Sequence, residues 1–166
     1  MSYKIENKEQ EHAAKLSFPY TTINNYPSLL IIGNLDIKNT GNIILSNPII
    51  KLTFTPIYNI SIRGQLIPEK MIDTLSVYND SGPTGWSFTS TSDIKENIGT
   101  MLIKPINSVT IYPDDSITIS NLQFHIMWSE DVLSASFQTQ ITFDEEKSSA
   151  ETLSLSFEPK FTNNEE

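Results

Sequence analysis

The chain has 166 residues, 38% of them hydrophobic and 19% charged, with a formal net charge of −9 and no cysteine. That length and composition suit a folded domain with a real core. The acidic balance and a single arginine, Arg63, argue against nucleic acid, whose binding rests on Lys and Arg contacts. The missing cysteine removes disulfides, thiolate metal sites and Cys nucleophiles together.

The opening run, "MSYKIENKEQEHAAKLS", is polar and lacks the apolar stretch of a signal peptide, so cytoplasmic synthesis is the default expectation, with assembly into a surface or particle structure left open. "ENKEQEHAAK" reads as a short helix or a loose lead-in, and residues 1–15 are expected to form a polar arm before a single domain over 16–161. "LLII" at Leu29 to Ile32 is strand-sized, far short of a membrane span. Leu35 and Ile37 then alternate with Asp36 and Lys38. Asn39-Thr40-Gly41-Asn42 breaks this run, with Gly41 free to take a positive φ there. Leu52 and Phe54 alternate in the next run, between Pro48 and Pro56. Ile60 and Ile62 follow, and Gly64 suggests a bulge or bend.

"PEKMIDTL" (Pro68 to Leu75) has proline at a helix-start position followed by Glu69, which predicts a single helical turn crossing between sheets. Asn79 to Gly85 is a turn cluster around Gly82-Pro83, after which Trp86 and Phe88 alternate. "GTMLIKPI" reads as a short strand, and "VTIYPDDSITIS" as strand, turn, strand. Ile117 and Ile119 share one phase while Leu122, Phe124, Ile126 and Trp128 share the other. The slip at Ser120-Asn121 predicts a β-bulge or a strand that changes sheets. "SASFQTQITF" alternates throughout, with Ala135, Phe137, Thr139, Ile141 and Phe143 on one face. "ETLSLSFEP" adds Leu153, Leu155 and Phe157. From Asp144 to Glu166 seven acids stand against two lysines, a net −5, and 162–166 form an acidic tail.

These runs predict an all-β, antiparallel β-sandwich of roughly nine to ten strands, Ig-like or jelly-roll. The expected core is Leu35, Ile37, Leu52, Phe54, Leu122, Phe124, Ile126, Trp128, Phe137, Ile141, Phe143, Leu155 and Phe157.

"LDIKNTGNIILSNPIIKLTF" resembles the early strands of bacterial and archaeal Ig-like surface modules of the CARDB type, with their strand, "N-x-G" turn and strand. "IYPDDSITISNLQFHI" resembles their later "I-x-P-G-x-S" turn, with Asp114 or Asp115 where that family has Gly. The resemblance covers about forty residues, implies an Ig-like sandwich with a non-catalytic role, and carries no functional residue.

No catalytic constellation emerges. A hydrolase triad needs nucleophile, base and orienting acid; the two histidines are His12, in the polar lead-in, and His125, on the solvent side of its strand. No G-x-S-x-G occurs. Asp114-Asp115 and Glu130-Asp131 are adjacent acids in turns, which ordinarily cap and solvate them. "NDSGPTG" and "PDDS" offer oxygen ligands without the pattern of an EF-hand loop. No cofactor, metal or catalytic residue is therefore expected. The aromatics raise binding instead: Trp128 continues the core phase, whereas Trp86, with Tyr78 and Tyr112, is a candidate exposed platform for carbohydrate. Two readings follow. One is a non-catalytic structural or assembly protein with a protein partner or self-association through edge strands. The other is a carbohydrate- or protein-binding module around Trp86.

Overall fold

The computed structural model describes residues 13–80, 82–144, 149–150 and 152–161. In chain order the strands are β1 (Ala13–Ser17), β2 (Tyr20–Asn25), β3 (Ser28–Asn39), β4 (Leu45–Ser46), β5 (Ile49–Thr55), β6 (Ile60–Arg63), β7 (Leu66–Pro68), β8 (Val77–Asn79), β9 (Gly82–Thr84), β10 (Trp86–Asp93), β11 (Ile98–Pro105), β12 (Thr110–Ile111), β13 (Ser116–Met127), β14 (Ala135–Thr142), β15 (Ser149–Ala150) and β16 (Leu153–Phe157). One helix, α1 (Ile72–Leu75), follows a 3-10 turn over Glu69–Met71. The expected nine to ten strands are thus too few among the described residues. The surplus lies in strands of two or three residues, too short to carry a readable period, and in β2, whose residues are exposed on both faces.

Two six-stranded sheets form the sandwich. The first runs β15-β1-β3-β13-β6, with β2 continuing β1 along the same edge of β3; the second runs β16-β14-β5-β11-β10-β7. Pairing is antiparallel except for β1 with β15 and β7 with β10. The β1-β3-β13 and β16-β14-β5 pairings follow the A-B-E and G-F-C order of an immunoglobulin sandwich. The chain departs from that order after β5, because β6 joins the first sheet before β7, β10 and β11 extend the second.

Alternation fills the space between the sheets. Along β3 the buried positions are Leu29, Ile31, Gly33, Leu35, Ile37 and Asn39. Leu52, Leu122, Phe124, Ile126, Trp128, Phe137 and Ile141 are buried as expected, while Phe54, Phe143, Leu155 and Phe157 are half-buried against the same cluster. Phe124 and Phe137 stack across the two sheets, with ring centroids 4.4 Å apart. A void of about 10 Å³ remains between the sheets, lined by Phe18, Leu35, Leu52 and Phe124 among others. That space is at the lower limit for one water and is too small for a ligand.

β13 takes the expected bulge. Its register against β3 shifts between Ile119 and Leu122, Asn121 has a φ of 56°, and the Asn121 backbone N–H donates to Asn34 Oδ1. Gly64 sits against this bulge: a Cβ there would lie 2.5 Å from the Asn121 carbonyl oxygen, and its φ is +146°. At Gly64-Gln65 the chain leaves the first sheet as β6 and enters the second as β7. The helical turn after Pro68 forms as expected, but it joins the parallel strands β7 and β10 of one sheet, by way of the β8–β9 hairpin, rather than crossing between sheets.

The "NTGN" turn is organised by a side chain rather than by glycine freedom. Gly41 is not among the residues of positive φ. Asn39 is fully buried; its Nδ2 donates to the carbonyls of Ile43 and Ile111, and its Oδ1 accepts from Gly41 N–H. Asp114, where glycine would be the default, does take a left-handed φ of 67°. Ala13 to Lys15, expected in the polar arm, belong to β1, where Ala14 and Lys15 pair with Asn39 and Lys38. Residues 1–12 and 162–166, the rest of the expected arm and the tail, lie outside the described residues.

Candidate functional sites on the open sides of the sandwich

The first groove lies where β6 and β7 leave an open side. It has a volume of about 520 Å³ and is lined by Leu66 and Ile67 of β7, Leu75, Val77, Trp86 and the Thr118–Ser120 segment of β13, among others. β6 pairs with β13 only over Gln123 to Ile126, so among the described residues the first half of β13 has no partner on that side. Trp86 is half-buried and packs against the core while lining the groove. Of the residues lining the groove with it, Val77 is 74% exposed and Leu75 54%. Leu75 ends the short helical turn and Val77 opens β8 directly after it.

The three residues singled out as a platform are therefore not one surface. Trp86 lines the groove; Tyr78 stands on β8, its hydroxyl donating to the Asp73 carbonyl; Tyr112 is exposed on the turn between β12 and β13, outside the groove lining. Trp128 is buried, and its indole N–H has no acceptor among the described residues.

The opposite side opens between β2 and β16. There Tyr20, Thr22 and Asn24 face Phe157, Glu158 and Lys160 across a cleft of about 510 Å³ floored by Leu29. Tyr20 stacks on Phe18 at 5.8 Å and meets Phe157 edge-on at 5.6 Å. Asn24 Nδ2 donates to the Lys160 carbonyl, tying the two edges together. Sequence reading missed this cleft, since "YTTINN" has no apolar period; the readable signal was the run of polar residues that continues the phase of Ala14, Leu16 and Phe18.

His125 stands on the outer face of the first sheet, as expected, with Ser28 Oγ 2.7 Å from its Nε2. Leu30, Arg63 and Gln123 border it around a depression of about 230 Å³. No carboxylate among the described residues contacts the ring, so the pair lacks the orienting acid of a triad. Among the described residues no group of three or more His, Cys, Asp or Glu is placed to hold a metal ion. No described helix is long and apolar enough to cross a membrane.

No protein-family model matches the chain, and no curated protein matches it. Among solved structures it is similar to one described as AvmM, which catalyses macrocyclization in alchivemycin A biosynthesis. The identity is 9%, the match covers 86% of this chain and 88% of that one, and the TM-score is 0.30. A likeness at that level carries no argument about what this chain does.

Proposed function

We propose that the protein is a non-catalytic assembly subunit that associates with further copies of itself through the groove beside β7. The carrying observation is that Leu75 and Val77, both more than half exposed, line one groove with Leu66, Ile67 and Trp86. Scattered apolar residues need no explanation, but a contiguous group beside an open groove marks an interaction surface. The setting adds a second attraction. Among the described residues β7 and the first half of β13 each have an unpaired side, and an unpaired strand edge invites strand addition. The stretch Ser116 to Ser120 carries no charge that would discourage it. The resemblance of the "NTGN" and "PDDS" strands to CARDB-type surface modules supports the same kind of role.

Light scattering coupled to size-exclusion chromatography, from micromolar to millimolar protein, tests the reading. Dimers or larger discrete species are expected, and Val77→Asp is expected to return them to monomer. A persistent monomer of 18.7 kDa at the highest concentration sinks it. A protein partner other than a second copy is the second reading of the same groove; it gains ground if the monomer persists while Val77→Asp alters retention by a cell extract.

A further inference from the structure

The cleft between β2 and β16 has a composition that the rest of the sandwich interior lacks. β1 and β2 lie in one line along β3 with an unbroken register: Ala14 is opposite Asn39, Leu16 opposite Ile37, Tyr20 opposite Gly33, Thr22 opposite Ile31 and Asn24 opposite Leu29. All these β3 residues point inward and are buried. Their β1–β2 partners therefore point inward too. Before Pro19 the inward positions are Ala14, Leu16 and Phe18, and all three are buried. After it they are Tyr20, Thr22 and Asn24, and all three are exposed. The chain changes from apolar to polar at the point where the second sheet stops covering it. This stretch of the interior is written to be wet.

We infer that this cleft is a binding site for a neutral oligosaccharide. Its volume of about 510 Å³ falls within the range of small-ligand sites. Tyr20 supplies a flat apolar surface. It is held by Phe18 and Phe157, which removes the cost of ordering it, yet 43% of it stays exposed. The C–H face of a pyranose packs on such a ring. Sugar hydroxyls each donate and accept, so they need both kinds of partner within one ring's width. Thr22 offers a hydroxyl, Asn24 the Oδ1 that its bond to Lys160 leaves unused, Glu158 a carboxylate and Lys160 an ammonium.

Glu158 and Lys160 both line the cleft, and among the described residues no ion pair ties either of them. Their charges cancel within the cleft. The protein's net charge of −9 then disfavours acidic sugars, which selects a neutral chain. An apolar ligand would strand the hydroxyl, amide and charged groups of the lining without partners.

The test is an amide-resolved NMR titration of the full chain with cellohexaose, chitohexaose and mannohexaose, with hexagalacturonate as the acidic comparison. Saturable shifts are expected at Tyr20 to Asn24 and Ser156 to Lys160 with at least one neutral hexasaccharide. Tyr20→Ala is expected to weaken binding tenfold or more. Because Tyr20 also packs on Phe18, the near-isosteric Thr22→Val and Glu158→Gln serve as variants that keep the fold, each expected to weaken binding severalfold, while Trp86→Phe leaves it unchanged. The inference is overturned if no neutral hexasaccharide gives saturable shifts at millimolar concentration, if the shifts centre on Trp86, or if hexagalacturonate binds as well as the neutral chains. Repeating the titration on Val77→Asp, altered only at the β7 groove on the opposite side of the sandwich, separates a failure of this inference from a failure of the proposed self-association.

Discussion

The β6–β7 side and the β2–β16 side of this sandwich are both open, yet they differ in what they show to water. On the first, the chain crosses between sheets at Gly64 and leaves Leu75 and Val77 exposed beside Trp86. On the second, the inward residues of β2 are Tyr20, Thr22 and Asn24, and the edges are tied by Asn24 and Lys160. An open side lined with exposed aliphatic side chains gains by covering them, which favours another protein surface. An open side lined with hydroxyl, amide and charged groups around one held aromatic gains by exchanging hydrogen bonds, which favours a hydroxylated ligand. The same architectural gap thus suits two different kinds of partner, and the side chains decide which.

The comparison breaks most visibly at Gly64. Gly64→Ala places a Cβ 2.5 Å from the Asn121 carbonyl in a backbone with φ of +146°. A loss of about 2–3 kcal/mol is expected in urea or guanidinium unfolding. Gly82→Ala is its control: φ is +113°, but no atom lies within 4 Å of the added Cβ, so about 1 kcal/mol is expected. Equal losses at the two positions would show that the crossing against the bulge is not a special constraint.

On the other side, Phe157→Ala removes a half-buried ring that meets Phe137 at 6.1 Å and Tyr20 at 5.6 Å. A loss of about 2 kcal/mol is expected, below that of a fully buried phenylalanine. A cost near zero would mean that the β16 edge does not hold Tyr20 in place.

Trp128→Phe sharpens the contrast between the two tryptophans. It sacrifices buried area but also removes an indole N–H that is buried with no acceptor among the described residues. The two effects oppose, so the net change is expected within about 1 kcal/mol. The remaining emission, from half-buried Trp86 alone, is expected to be quenched more readily by acrylamide than that of the parent protein. Unchanged quenching would place Trp86 away from solvent and remove it from the groove.

The smallest effect on stability is expected at the rim. Leu75→Asp and Val77→Asp touch residues 54% and 74% exposed, and each should alter unfolding by no more than about 0.5 kcal/mol while preventing self-association. A large loss of stability would mean that this cluster packs within its own chain.

How much of this was legible depends on whether a signal is local. The period of "SASFQTQITF" placed Ala135, Phe137, Thr139, Ile141 and Phe143 on one face, because a strand's two faces alternate whatever its neighbours are; the first four are buried and Phe143 is half-buried. The phase slip at Ser120-Asn121 announced the bulge for the same reason. The polar inner face of β2 was invisible as a strand, since a stretch that is exposed on both faces has no period to read. The placement of Trp86 at a groove, with Tyr78 and Tyr112 elsewhere, depended on a crossover and a hairpin whose geometry no spacing encodes.

The sequence by itself determined the all-β class, the register of inward and outward residues along each long strand, and the points where the chain must turn. Those follow from backbone sterics and alternation, which act over a few residues. The tertiary structure decided which strands became edges, that β7 and β10 run parallel, that Asn39 is buried as a clamp on the Ile43 and Ile111 carbonyls, and that two sides stay open with opposite chemistry. Each of these joins residues far apart in the chain. They are settled by how two sheets close over one core, which only the folded chain brings about.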